Sequence, residues 1–139
     1  MLRYDPYRVA FEDVGGVELL MGALKKKINF QLQYQIIFAV WCMAFNPQIA
    51  ERCTSCGLIQ TLGDILLHST TEKVIRIILA TFVNILGKLE GEEKAEAARQ
   101  MFHSKINRSL QFVSAKQYED PDIQDDVRML TTELSNCVV

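Results

Sequence analysis

The sequence holds few groupings of side chains that could do chemistry, and the densest is Cys53-Thr54-Ser55-Cys56. A CxxC pair supplies two soft ligands for zinc or a dithiol for redox exchange. A structural zinc site needs four ligands, normally from a second pair. Cys42 and Cys137 are not spaced as one, and His68 and His103 are isolated and far apart. A thioredoxin-like dithiol needs a strand before it and a helix opening on it. Here the pair falls in a loop expected between two helices. The reading is four free thiols, no metal and no cofactor.

Other candidates are thinner. Gly15-Gly16 lacks the third glycine or the Lys-Ser/Thr of a phosphate cradle, so it reads as a helix terminator. Glu92-Glu93 and Asp125-Asp126 are adjacent carboxylates. Neighbours on a helix point about 100° apart and do not converge on one substrate. No Ser, Cys or Thr sits in a recognisable nucleophile signature. Lys25-Lys26-Lys27 falls short of the four to eight cations of a lipid-binding cluster. Trp41, with Phe38 and Phe45 at helical spacing, reads as core packing. No catalytic or metal-binding residue is therefore assigned.

Helices must position these groups. Apolar residues recur at helical spacing throughout, and alternating strand patterns are nearly absent. Helices are expected at about 6–14, from 17, at 30–45, from Asn46-Pro47 to about 52, after Gly57, at 72–89, at 93–113 and after Asp120-Pro121. Ser69 to Glu72 reads as a capping box for the helix from Glu72. The tail at 135–139 is expected to fray.

The chain also resembles itself. A shift of 41 residues lays Gly16-Val17 on Gly57-Leu58, Ile37 on Ile78, Trp41 on Phe82 and Phe45 on Leu86, with Leu24 one position away from Leu66. A third unit, through Ile106, Leu110, Ile123 and Val127, follows at roughly 48 residues. A period near 40 to 47 with two or three helices per unit marks armadillo or HEAT repeats. The expected fold is all-α: an α-α superhelix of about three units, forming a single domain over 1–139. One unit cannot cover its own apolar face, and neighbours complete it. The first unit has no obvious polar cap, so a partner or further chain is expected against it.

Composition agrees with a packed domain. Hydrophobic residues make up 49% and charged residues 23% of the 139, with net charge −2. That balance gives no electrostatic footprint for nucleic acid. The longest apolar run, Ile36 to Phe45, is far below the ~20 residues of a bilayer span. The start of the chain carries no apolar run of a secretory signal.

Several stretches are similar to one family. Tyr7-Arg8 followed by Gly16-Val17, the segment from Phe30 to Phe38 (FQLQYQIIF), Trp41, Phe45-Asn46-Pro47-Gln48, the segment from Glu72 to Ala80 (EKVIRIILA) and Tyr118-Glu119-Asp120 resemble the H subunit of the V-type proton-pumping ATPase. The likeness runs from about Tyr4 to Leu134. It implies a superhelix of armadillo- or HEAT-like repeats and a non-catalytic, regulatory role. The implied partners are the peripheral stalk, the soluble ATP-hydrolysing sector and the membrane sector. The implied location is the cytosolic face of vacuolar or other acidified-organelle membranes, reached only through the complex. Members of that family are several times longer, and the likeness is confined to the later part of their N-terminal superhelix, with no stretch here resembling their C-terminal domain. The chain is thus expected to be a piece of the later part of the larger protein's N-terminal superhelix, and the family's inhibitory function is not assigned to these residues. The alternative is a free-standing armadillo-like adaptor that holds peptides in a groove, with Asn84 as the candidate contact.

Overall fold

The computed structural model describes residues 3–103, 109–110, 113 and 121–137, the last two by their backbone alone. Among the described residues the regular structure is helical, in eight helices: α1 Asp5–Asp13, α2 Gly16–Leu24, α3 Phe30–Met43, α4 Pro47–Ser55, α5 Leu58–His68, α6 Glu72–Lys88, α7 Gly91–His103 and α8 Pro121–Cys137. The architecture is an all-α superhelix of armadillo-like repeats. Three helices make each of the first two units, α1 to α3 and α4 to α6. Ile106, expected in the third unit, and Tyr118-Glu119-Asp120 lie outside the described residues.

The repeat is sharper than the sequence suggests. Asp5 to Pro47, Gly16 to Leu58 and Phe30 to Glu72 are each 42 residues, so all three helices restart on one period. At 42, Leu24 falls on Leu66, Ile37 on Leu79, Val40 on Phe82 and Met43 on Ile85, and every one of these is buried. The period of 41 is therefore corrected by one residue. Apolar residues crowd both sides of the true register in α3 and α6, so a slip of one still pairs apolar with apolar. The third unit is looser: α7 begins 44 residues after Pro47, and α8 begins 49 after Glu72.

Local chemistry sets the helix ends. Asn29 caps α3 by accepting from Leu32 N–H at 2.8 Å. Asn46 caps α4 by accepting from Gln48 N–H at 2.9 Å and Ile49 N–H at 3.2 Å, with Pro47 in the first turn. The same Asn46 donates through Nδ2 to Asp5 Oδ1 at 2.8 Å, fastening the start of the first unit to the start of the second. The expected Ser69 box does not form. Thr71 stands at the cap of α6, and the Ser69 amide turns back to Leu66 O to close α5. The acid Glu72 nonetheless sits in the first turn, where it suits the helix dipole. The tail holds helical form to Cys137, two residues past Ser135.

Gly15 and Gly57 do one job in successive units. Each precedes the second helix in the left-handed region, with φ of 79° and 89°. That conformation turns the chain sharply between the first and second helices at little cost to glycine alone. The next position shows a trade in volume. In the first unit a Cβ on Gly16 would lie 2.4 Å from Phe11 Cδ2, so the ring takes the space of a side chain. One period later Phe11 becomes Cys53 and Gly16 becomes Leu58, both fully buried. Large-then-small in one unit becomes small-then-large in the next, which conserves core volume.

The core centres on α6. It packs against α3, α4, α5, α7 and α8. Val74, Ile78, Leu79, Phe82 and Ile85 are sealed from solvent along it. Thr81 is also buried, and its hydroxyl donates to Ile77 O at 2.7 Å, so the polar atom is satisfied. Ion pairs hold the outer edges: Arg52 of α4 with Glu18 of α2, and Lys94 of α7 with Glu133 of α8 at 3.0 Å. Tyr4, Val14 and Leu19 in the first unit are left largely exposed. Among the described residues no helix is long and apolar enough to cross a membrane.

Candidate functional site

Cys53 is a core residue of α4. Burial pushes its thiol well above the ordinary range, and the nearby Cys56 and Glu12 push the same way. A nucleophilic or metal-binding cysteine needs the opposite, an electropositive setting that releases the thiolate. Cys56 is half-buried at the C-terminal end of α4, and its Sγ lies 3.7 Å from Cys53 O. Cys42 is buried too, and burial raises its thiol. Among the described residues no group of three or more His, Cys, Asp or Glu is placed to hold a metal ion. His68 ends α5, and His103 ends α7 edge-on to the Phe102 ring.

The acidic pairs lie on the surface. Arg99 donates to Glu92 at 2.9 Å and to Glu96 at 2.7 Å. The bond from Arg99 to Glu96, with one from Gln100, holds the Glu96 carboxyl below its usual range. Glu92 and Glu93 border a shallow cleft of about 360 Å³ against the end of α4, near Glu51 and Ser55. Asp125 pairs with Arg128 on α8. Lys25, Lys26 and Lys27 follow the end of α2, and all three are exposed.

Asn84 occupies the third helix of the second unit. It is half-buried, and its Nδ2 donates to the backbone carbonyl of Trp41 at 3.0 Å. Trp41 O belongs to the last turn of α3, whose carbonyls lose their helical partners. The amide of Phe45 turns to Cys42 O instead. Asn84 therefore supplies a donor that α3 cannot.

The seam where Asn84 reaches across holds a feature that ring spacing alone does not reveal. Tyr34, Phe38, Trp41 and Phe45 form one continuous ladder, with ring centroids 6.1, 5.5 and 4.9 Å apart in turn. The sequence predicts core packing for Phe38, Trp41 and Phe45. Trp41 is only half-buried, and Phe38 and Phe45 stay 36% and 37% exposed. Cations from neighbouring elements lie on these rings. Lys73 Nζ sits 4.3 Å from the Tyr34 centroid, and Lys88 Nζ 5.5 Å from that of Phe45. The Arg8 guanidinium is 5.6 Å from Phe45 as well. The readable signal is the 4-3 spacing of Tyr34, Phe38 and Trp41 on a helix that carries no charged residue, with Phe45 two residues past its end.

A family model for the H subunit of the V-ATPase matches residues 1–134. The chain belongs to the V-ATPase H-subunit family. Similar proteins include the probable V-type proton ATPase H subunit of Caenorhabditis elegans that is numbered 2, 60% identical over 136 residues, covering 97% of this chain and 29% of that protein. The V-type proton ATPase H subunit of Drosophila melanogaster is 40% identical over 139 residues, covering 99% and 30%. That of Dictyostelium discoideum is 28% identical over 139 residues, covering 97% and 30%. This H-subunit chain thus spans about three-tenths of the length of the curated relatives it matches. The resemblance carried by FQLQYQIIF and EKVIRIILA is confirmed, and those two segments open α3 and α6.

Proposed function

We propose that this chain works as a non-catalytic, regulatory part of a V-type proton-pumping ATPase. It supports the coupling of ATP hydrolysis to proton transport through contacts with other subunits. The observation that carries this reading is membership of the H-subunit family, with 60% identity to a relative so named. The helical stack supports it, because a solenoid holds surfaces at fixed spacing and offers them to partners. The state of the groups that could do chemistry supports it as well. Cys53 is a sealed core residue, and Arg99 engages Glu92 and Glu96 of α7.

The partners in this reading are the peripheral stalk and the soluble ATP-hydrolysing sector, with the membrane sector nearby. The place of action is the cytosolic face of an acidified organelle, reached through the complex. The peptide-adaptor reading rests on Asn84. Its bond to Trp41 O favours a tie between units over a ligand contact.

A segment exchange tests the proposal. This sequence replaces the matching segment of the 60%-identical relative in a cell that depends on that relative. Restored ATP-driven organelle acidification is the expected result. A pump that assembles without acidifying, or fails to assemble, would contradict it.

A further inference from the structure

We propose that the α3–α6 seam, with its ladder of four rings edged by cations, is a docking surface for a carboxylate-bearing amphipathic helix of a neighbouring pump subunit. The inference rests on the reading that this chain acts by binding within the pump. Three observations converge on it. Tyr34, Phe38 and Trp41 advance by four and three residues on α3, the spacing at which one helix meets another, and Phe45 continues the row two residues past the helix end. Phe38 and Phe45 keep more than a third of their surface in water although each touches another ring of the ladder. Cations from α1 and α6 border the same rings. Exposed aromatic residues that are already rigid bind at low entropic cost, and such residues dominate interface energetics.

Charge selects the partner. The α3 helix carries no charged side chain, so the field at the seam comes from its neighbours. Lys73 and Lys88 lie near opposite ends of α6, roughly 22 Å apart at 1.5 Å per residue. That span matches a helix of about four turns laid along the ladder. Neither lysine makes an ion pair among the described residues, and each ammonium rests on an aromatic ring instead. Arg8 adds a third cation beside Phe45, though Asp5 at 3.5 Å already shares it. A partner with apolar residues toward the rings and carboxylates toward the two lysines would complete both halves. A basic partner would meet like charge at both ends.

Trp41 is the single tryptophan, so binding has a built-in reporter on the ladder itself. The probe is a helical peptide of about four turns, with leucines at three-four spacing and flanking glutamates, set against the same peptide with lysines for glutamates. The full chain is titrated with each, and Trp41 emission is followed. The glutamate peptide is expected to give a saturable change that weakens as salt is raised, and the lysine peptide none. Lys73→Glu with Lys88→Glu is expected to weaken binding about tenfold or more, while Lys73→Arg with Lys88→Arg retains it. Circular dichroism melts of the variants report folding. If charge reversal unfolds the chain, Lys73→Gln with Lys88→Gln takes its place. Equal binding of both peptides, unchanged affinity in a folded reversed or neutral variant, or no saturable change would overturn the proposal. A chain that joins the pump's soluble sector yet binds neither peptide loses the surface and keeps the function proposed above. A chain that binds only the glutamate peptide but never joins that sector does the reverse.

Discussion

Asn84 on α6 donates from Nδ2 to the backbone carbonyl of Trp41 on α3 at 3.0 Å, joining the third helices of two successive units. The bond satisfies a carbonyl in the last turn of α3, where the Phe45 amide has turned to Cys42 O. Replacing Asn84 by alanine leaves that carbonyl short of a donor. The expected loss is about 1 kcal/mol for a half-buried group, read as a lowered urea midpoint with unchanged slope. If Asn84 serves only a bound peptide, the midpoint stays where it was.

The turn glycines give an opposed pair. Gly57 sits at φ 89°, where an L side chain strains the backbone. Gly57→Ala should destabilise by about 1–2 kcal/mol. Gly87 lies within α6, its backbone is helical, and nothing stands within 4 Å of the place an added methyl would take. Gly87→Ala should stabilise by about 0.5–1 kcal/mol through the unfolded chain's lost freedom. Thermal melts of the two variants should move in opposite directions.

The volume trade between units is testable by a double-mutant cycle. Gly16→Ala drives a Cβ into the Phe11 ring and should cost about 1–3 kcal/mol. Phe11→Ala opens a gap at the same place. The two together should cost less than their sum by at least about 0.5 kcal/mol, since the new methyl enters the space the ring has left. Strict additivity would mean that the ring does not occupy that space.

The thiols should divide by burial. At mildly alkaline pH a disulfide-exchange reagent should label Cys56 quickly and should reach Cys53 and Cys42 only on unfolding. Burial raises the folded-state Cys53 thiol above its unfolded value. The folded chain therefore keeps a proton that the unfolded chain releases. Stability from this group is complete below the unfolded thiol range and falls as pH climbs above about 8.5. Denaturation followed from neutral to alkaline pH checks the sign, and Cys53→Ala should flatten the alkaline fall.

Helices are legible in the sequence where their caps are local. Asn46-Pro47 announces α4 because the cap needs only the amides two and three residues on. Ser69 misleads at the start of α6, because a serine three residues before an acid looks the same whether it opens one helix or ends another. The period reads one residue short because α3 and α6 are apolar on both sides of the true register. For Cys53 the missing companions already point to an inert thiol. Its positional partner Phe11 supplies the physical reason, since the two hold equivalent positions in successive units. The aromatic ladder reads as core because ring spacing reports the helix face and not what covers it. The cations on that ladder come from α1 and α6, at positions fixed only by how the units stack. The partner of Asn84 is hidden for the same reason.

Whether this chain acts by joining a V-type ATPase is tested most directly by gel filtration with the purified soluble, ATP-hydrolysing sector stripped of its own H subunit. The expected result is that the chain co-elutes with the sector, alters its ATP hydrolysis, and hydrolyses no ATP alone. A folded chain that elutes separately and leaves the sector's rate unchanged would contradict it.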